Sequence, residues 1–516
     1  MAVIDQSSYG QLFWWRESPH LHTLITIWGY PLSVESQIEN FLLTFKLFDT
    51  SGNLQKTWEQ SLSAQECLFL DSAHCLPTQN IEITEGVLAL VITTKTAEPI
   101  ELYPAKLGSI IDWYSTDGEL VSLHSDQLME PNRSPVKWTE IVVQETSTSQ
   151  NSLVIMNGFE SQPPRSISLE IKNHLGKTSE AVFTPEMLPF SLHRLHLNAL
   201  FPNILDFAQD QPITITGTFT SYGLFTRPYV VSTGKYFGAY HAGNRYSWNN
   251  LSAISYKFMG QGEVNPMLVV HRDDLTTTVN LLNTHAELEK DFWVDASLYD
   301  CEGCLIIERQ HWLLARRNQL SQGEIVDLLP DSHTPFVGHL ALRFSADQHA
   351  EYPGRLQALM EYSTAESTAK VMAWSGVWNW QERVRFAPVV NYVAYYRVWC
   401  RSPFISYVSL TNCGIDADYD RSVDYCLRLE NGRGEYLVYE GSIPSQGTVY
   451  QSIHELFPTI ADFLGDQPVG LVVVETTADI ASMHLTWHQL SGVYAAEHFL
   501  PTHTLHEDNL YMPCGS

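Results

Sequence analysis

Positive charge is scarce in this chain: 30 Lys and Arg stand against 58 Asp and Glu, a net charge of −28 over 516 residues. That excess opposes the phosphate neutralisation on which nucleic-acid affinity depends, and it disfavours anionic membrane surfaces. No nucleic-acid partner is expected. Long apolar runs are missing too. None approaches the roughly 18 residues that cross a bilayer, so no membrane span is expected. The stretch from Met1 to Trp15 has neither a basic n-region nor an apolar h-region, which points to a cytoplasmic location. Cysteines number eight, at 67, 75, 301, 304, 400, 413, 426 and 514, too sparse for a disulfide framework. Reduced thiols are the expectation.

Catalytic motifs are also lacking. There is no P-loop, no G-x-S-x-G elbow and no H-E-x-x-H, and Gly260 and Gly262 are followed by Asn265 where a dinucleotide fingerprint needs its last glycine. Carboxylates are plentiful, but nothing in the sequence places a pair of them in a cleft for glycoside hydrolysis. What is present is a packing composition, 44% hydrophobic and 17% charged. At this length it implies about three to five domains, each with its own core.

The count is sharpened by an internal repeat. Alternating apolar strands end in Asp49-Thr50-Ser51-Gly52, Asn173-His174-Leu175-Gly176, Asp300-Cys301-Glu302-Gly303 and Asn431-Gly432-Arg433-Gly434, so the starts 49, 173, 300 and 431 differ by 124, 127 and 131. Asp or Asn followed by Gly three places later supplies the side-chain turn bond and the positive φ of a short hairpin. A second landmark follows each turn, with prolines at 77, 202, 330 and 458. Its best copies, Leu200-Phe201-Pro202 to Asp210-Gln211-Pro212 and Leu456-Phe457-Pro458 to Asp466-Gln467-Pro468, match in spacing throughout. Apolar strands open at Leu88, Ile213, Leu340 and Leu471, and others precede the hairpins at Leu153 to Asn157, Val279 to Asn283 and Val408 to Asn412. Helical turns are expected only near Asn198 to Phe207 and Ser452 to Phe463.

The fold class is therefore all-β: four tandem antiparallel β-sandwich modules arising from internal duplication, at 18–128, 136–250, 262–382 and 392–510, the third divergent. Short linkers without Gly/Ser runs, and the apolar Trp380 to Trp399, imply that neighbouring modules pack together.

Candidate site residues cluster in the segment that closes each module. Gly118 leads to His124, Gly234 to His241 and Gly492 to His498, with Trp374 at the matching place in the third copy. Three imidazoles are a known set for zinc or iron, so convergence of the three would make a divalent metal site. His503 and His506 thicken the C-terminal run, and His20 and His22 alternate on one strand face. Asp416, Asp418 and Asp420 resemble the start of a calcium loop, but Arg421 stands where such a loop needs Gly and Leu427 where it needs Glu. Calcium there would need backbone help.

Cys301-Glu302-Gly303-Cys304 reads as a hairpin turn flanked by thiols rather than a redox or zinc pair. Aromatic residues in the closing segments, Tyr236, Tyr240, Trp374, Trp378 and Trp380, suit either ligand platforms or packing between modules. The expected function is a non-catalytic binding or scaffolding protein whose repeated surfaces engage a protein or a glycan-like ligand. The rival is a metal-dependent enzyme built on the closing-segment histidines, using Zn, Fe or Ca.

Overall fold

The hairpin turns set the architecture. Asp49 Oδ1 accepts from the backbone N–H groups of Ser51 and Asn53, and Asn173 Oδ1 does the same for Leu175 and Lys177. Asp300 Oδ1 accepts from Cys304, and Asn431 Oδ1 from Arg433. Gly52, Gly176, Gly303 and Gly434 all sit at positive φ, so each turn closes by an Asp or Asn side-chain oxygen on a backbone N–H two or four residues on and by a glycine. The computed structural model describes residues 9–30, 38–74, 83–94, 109–125, 135–220, 228–241, 243–245, 265–272, 274–282, 291–317, 319–330, 335–345, 357–373, 392–414, 419–476, 478 and 480–502.

Among the described residues the first module has eight strands: β1 (Tyr9–Arg16), β2 (His22–Trp28), β3 (Asn40–Asp49), β4 (Leu54–Ser63), β5 (Cys67–Asp71), β6 (Glu85–Thr94), β7 (Ser109–Tyr114) and β8 (Leu120–Ser125). They form two antiparallel sheets, ordered β1-β6-β3-β4 and β5-β2-β7-β8. Alternation explains the layering: Phe41, Leu43, Phe45 and Leu47 along β3 are fully buried, while β4 at the sheet edge is largely exposed. The other three modules repeat this order strand for strand. A short fifth strand is added at Gly243–Arg245 in the second and at Leu500–Thr502 in the fourth.

Polar ties recur with the fold. Trp113 Nε1 donates to the Trp14 carbonyl, and the hydroxyls of Tyr240 and Tyr362 donate to the carbonyls of Val142 and Leu268. Each bond joins the strand equivalent to β7 or β8 to the strand equivalent to β1, tying one sheet of the sandwich to the other. Asn157 Nδ2 donates to the carbonyls of Glu160, Met187 and Leu188, and Asn412 Nδ2 likewise to Arg421, Ile443 and Pro444. The asparagine that ends each such strand thus satisfies loop carbonyls that burial would otherwise strand. Asn283, the third of the series, lies outside the described residues. The Leu-Phe-Pro landmark forms paired short helices, Leu197–Leu200 with Ile204–Ala208 and Ile453–Leu456 with Ile460–Leu464. A capping box between Ser452 and Glu455 opens the third of them.

The chain divides into two compact units, Met1–Asn244 with Asn431–Glu435, and Arg245–Glu430 with Tyr436–Gly515. Inside the first, the hairpin turn of module 1 docks on module 2: Leu192 N–H donates to the Thr50 carbonyl, and Phe48 stacks on Phe190 at 4.3 Å between ring centroids. Inside the second, the turn of module 3 docks on module 4 in the same way, Thr448 N–H donating to the Cys301 carbonyl. The docked glycines, Gly52 and Gly303, lie so close that a Cβ on either would strike the carbonyl oxygen of Pro189 or Ser445. Among the described residues, no helix is long and apolar enough to cross a membrane.

Candidate functional site

Strand register decides where the closing-segment histidines stand. In module 1 the hairpin pairs Tyr114 with Leu120 and, four residues on, Ile110 with His124. In module 2 it pairs Thr233 with Phe237 and, four on, Tyr229 with His241. The two histidines therefore occupy one structural position on β8 and its equivalent Phe237–His241. The structure brings them together within the first unit: both are buried, at 3% and 4% exposure, with ring centroids 4.5 Å apart and planes at 67°.

The same register carries into the second unit. Three residues back from the strand-ending asparagines, Val154 pairs with Tyr229, opposite His241, and Ser409 pairs with Met483, opposite His498, so His498 holds the matching position in module 4 and Glu497 precedes it. Glu497 is buried, and its Oε1 accepts from the His498 backbone N–H at 2.9 Å and lies 3.6 Å from His498 Nε2. His498 Nδ1 contacts the Phe499 carbonyl oxygen at 2.9 Å. In module 3 the register puts Met372 at this position, two residues before Trp374. Trp374, Trp378, Trp380, His503, Asp416 and Asp418 lie outside the described residues, and Asp420 is exposed. His20 and His22 go to separate carboxylates, Asp117 at 3.4 Å and Glu17 at 2.9 Å.

Tyr240 is buried, and its hydroxyl both donates to and accepts from the Val142 backbone, so it ties two sheets rather than offering a face to a ligand. Tyr236 is half-buried beneath Lys235 Nζ, 5.2 Å from the ring centroid. Trp14 and Trp113 of module 1 pack against Tyr229 and Phe237 of module 2 at 5.6 to 6.4 Å, an aromatic joint between neighbours. Cys301 is half-buried, and burial, with Asp300 and Glu302 adding to it, pushes its thiol up to about 11. A thiol held protonated in this way is a poor nucleophile, in keeping with the hairpin reading of the CxxC.

Residues that sequence spacing did not single out form a second cluster, on the outer face of the module 4 sheet within the second unit. Tyr407 and Tyr450 stack at 5.1 Å with planes 8° apart, and Trp487 stacks on Tyr494 at 6.1 Å and 11°. Tyr407, Tyr450 and Trp487 are half-buried. Met483, Leu485, Tyr494 and Ala496, on the same face, are buried in the core shared with module 3. Arg272 of module 3 donates from Nη2 to the Tyr494 hydroxyl, and its Nε lies 2.7 Å from Asp274 Oδ1. Burial first, then Asp274 and the Tyr407 hydroxyl, push Tyr494 up to about 12 even though Arg272 pulls the other way. The hydroxyl stays protonated at neutral pH. The signal in the sequence was the alternation Ile405, Tyr407, Ser409 beside Trp487, which marks one sheet face but does not tell core from rim. Comparison with protein-family models and with curated proteins finds no match to this chain.

Proposed function

We propose that the chain is a multi-module binding protein whose second unit takes a glycan-like ligand on the aromatic rim where modules 3 and 4 meet. The supporting observation is the half-buried set Tyr407, Tyr450 and Trp487 on one sheet face, with Arg272 and Asp274 at its edge. Flat rings accept the apolar faces of a saccharide, while a guanidinium and a carboxylate serve its hydroxyls, a combination that gives orientation as well as contact area. Trp487 and Tyr407 would stack on the sugar, and Asp274, 58% exposed at its side chain, would accept from it.

The test is a glycan array probed with the full chain, followed by calorimetry on the retained glycans. Trp487→Ala and Tyr407→Ala are expected to weaken binding by at least about tenfold each, the scale of a lost stacking contact. An array that retains nothing, or variants that bind like the parent, defeats the reading. Retention of a protein instead, unaffected by Trp487→Ala, moves the function to a protein partner on another surface.

A further inference from the structure

The first unit holds a feature the glycan reading does not use. His124 and His241 come from different modules, occupy the same register position, and meet with both rings buried. The neutral form of each ring carries one lone pair, which is what a metal ligand requires. Rings with centroids 4.5 Å apart can turn one nitrogen each toward a common ion at the bond length of about 2 Å typical of zinc. We propose that His124 and His241 are two ligands of a divalent transition-metal ion that clasps module 1 to module 2.

The donor chemistry selects the ion. Imidazole suits zinc, cobalt, nickel and copper, whereas calcium and magnesium take oxygen, so the site discriminates against the hard cations. Its position at a joint gives it a structural consequence: an ion bound by one histidine from each module stabilises only the docked arrangement, and so binding is linked to the stability of the joint.

The experiment uses the full chain, dialysed against a chelator and titrated with zinc chloride and separately with cobalt chloride. Calorimetry is expected to give one ion per chain at micromolar or tighter affinity, and cobalt is expected to develop visible bands shifted from those of the aquo ion. His124→Gln and His241→Gln should each weaken binding by at least about a hundredfold and remove the cobalt bands. Zinc should raise the melting temperature of the parent and leave that of either variant unchanged, and the metal-free variants should keep the parent's circular dichroism. No uptake of either ion by the parent, or equal affinity in parent and variants, overturns the site. If a single variant fails to fold, the cobalt spectrum of the parent decides alone: bands of nitrogen ligation support the site, and an unchanged aquo spectrum refutes it. The outcome is independent of the glycan reading, since Trp487 and Tyr407 lie in the other unit.

Discussion

The two units solve one mechanical problem alike and spend their remaining surface differently. In each, an odd-numbered module presses its hairpin turn onto the next module, through Gly52 in the first and Gly303 in the second. The receiving segment even repeats a non-glycine residue at positive φ, Phe190 at 56° and Gln446 at 55°. Around this shared joint the chemistry diverges. Counting back from Asn157 and Asn412, Ser152 matches Tyr407, and the register matches Arg194 to Tyr450. The first unit therefore has a bond from Arg194 Nε to Ser152 Oγ at 3.0 Å where the second has a tyrosine stack. Both seat an arginine on the partner module's ring, Arg16 at 4.5 Å from the Phe237 centroid and Arg272 at 5.9 Å from that of Tyr494. Backbone geometry is held constant because any Cβ at the glycine collides. Side chains that the joint does not need are free to become a histidine pair or an aromatic rim.

The largest effect should come from the joint itself. Gly52→Ala and Gly303→Ala each place a Cβ against a carbonyl oxygen at a positive φ, and each is expected to cost about 3 to 5 kcal/mol in chemical denaturation. Gly492→Ala is the control, since it shares the positive φ but meets nothing nearer than 3.8 Å, and about 1 to 2 kcal/mol is expected. Equal costs at all three positions would break the claim that docking, rather than backbone strain, demands the glycine.

A second difference is acid sensitivity. His339 in the second unit is fully buried, its Nδ1 3.1 Å from Thr448 Oγ1 and its ring stacked on Tyr299 at 5.1 Å. Burial, with Arg343 beside it, lowers its pKa to about 3. Counting on from the paired glycines Gly86 and Gly338, the first unit has Val87 at this place. A lowered folded-state pKa means that stability is complete above the unfolded value of about 6.5 and is lost as pH falls toward the folded one. His339→Val should therefore flatten the loss, gaining about 2 kcal/mol on the parent between pH 7 and pH 5, at about 1.4 kcal/mol per pH unit. Parallel stability curves for parent and variant over that range would refute it.

The smallest predicted effect, in the first unit, has the opposite sign. Glu145 is buried, and desolvation raises its pKa even though Asn151 donates to it from both backbone and side chain. A carboxyl whose folded pKa is raised favours the folded state at low pH and disfavours it as pH climbs through the raised value. Glu145→Gln is expected to stabilise by about 1 kcal/mol at pH 8 and to converge with the parent near pH 4. Destabilisation at pH 8 would show that the Asn151 bonds outweigh the cost of the buried charge.

Much of the fold was legible in the sequence. The four turns are short-range devices: a side chain bonds backbone two to four residues away, and such contacts leave a fixed spacing. The site was legible only in part. Position along the closing segments named His124 and His241, which do meet, and His498, which holds the same register position in module 4, but it put Trp374 where the register places Met372. Tyr240 looked like a platform and is a tie, since its hydroxyl reaches Val142 in the opposite sheet, a contact nearly a hundred residues away in sequence. The rim of Tyr407, Tyr450 and Trp487 was missed because alternation gives a residue's face and not what covers that face.

By itself, then, the sequence determined the number of copies, the turn chemistry and the strand alternation, all of which depend on residues within one hairpin of each other. Tertiary structure alone decided which histidines become neighbours, which aromatic residues vanish into a joint and which remain at its edge. Those outcomes depend on how one sandwich docks against the next, and docking is set by the close approach of backbone at Gly52 and Gly303, whose partner surfaces lie in the next module and carry no local signature.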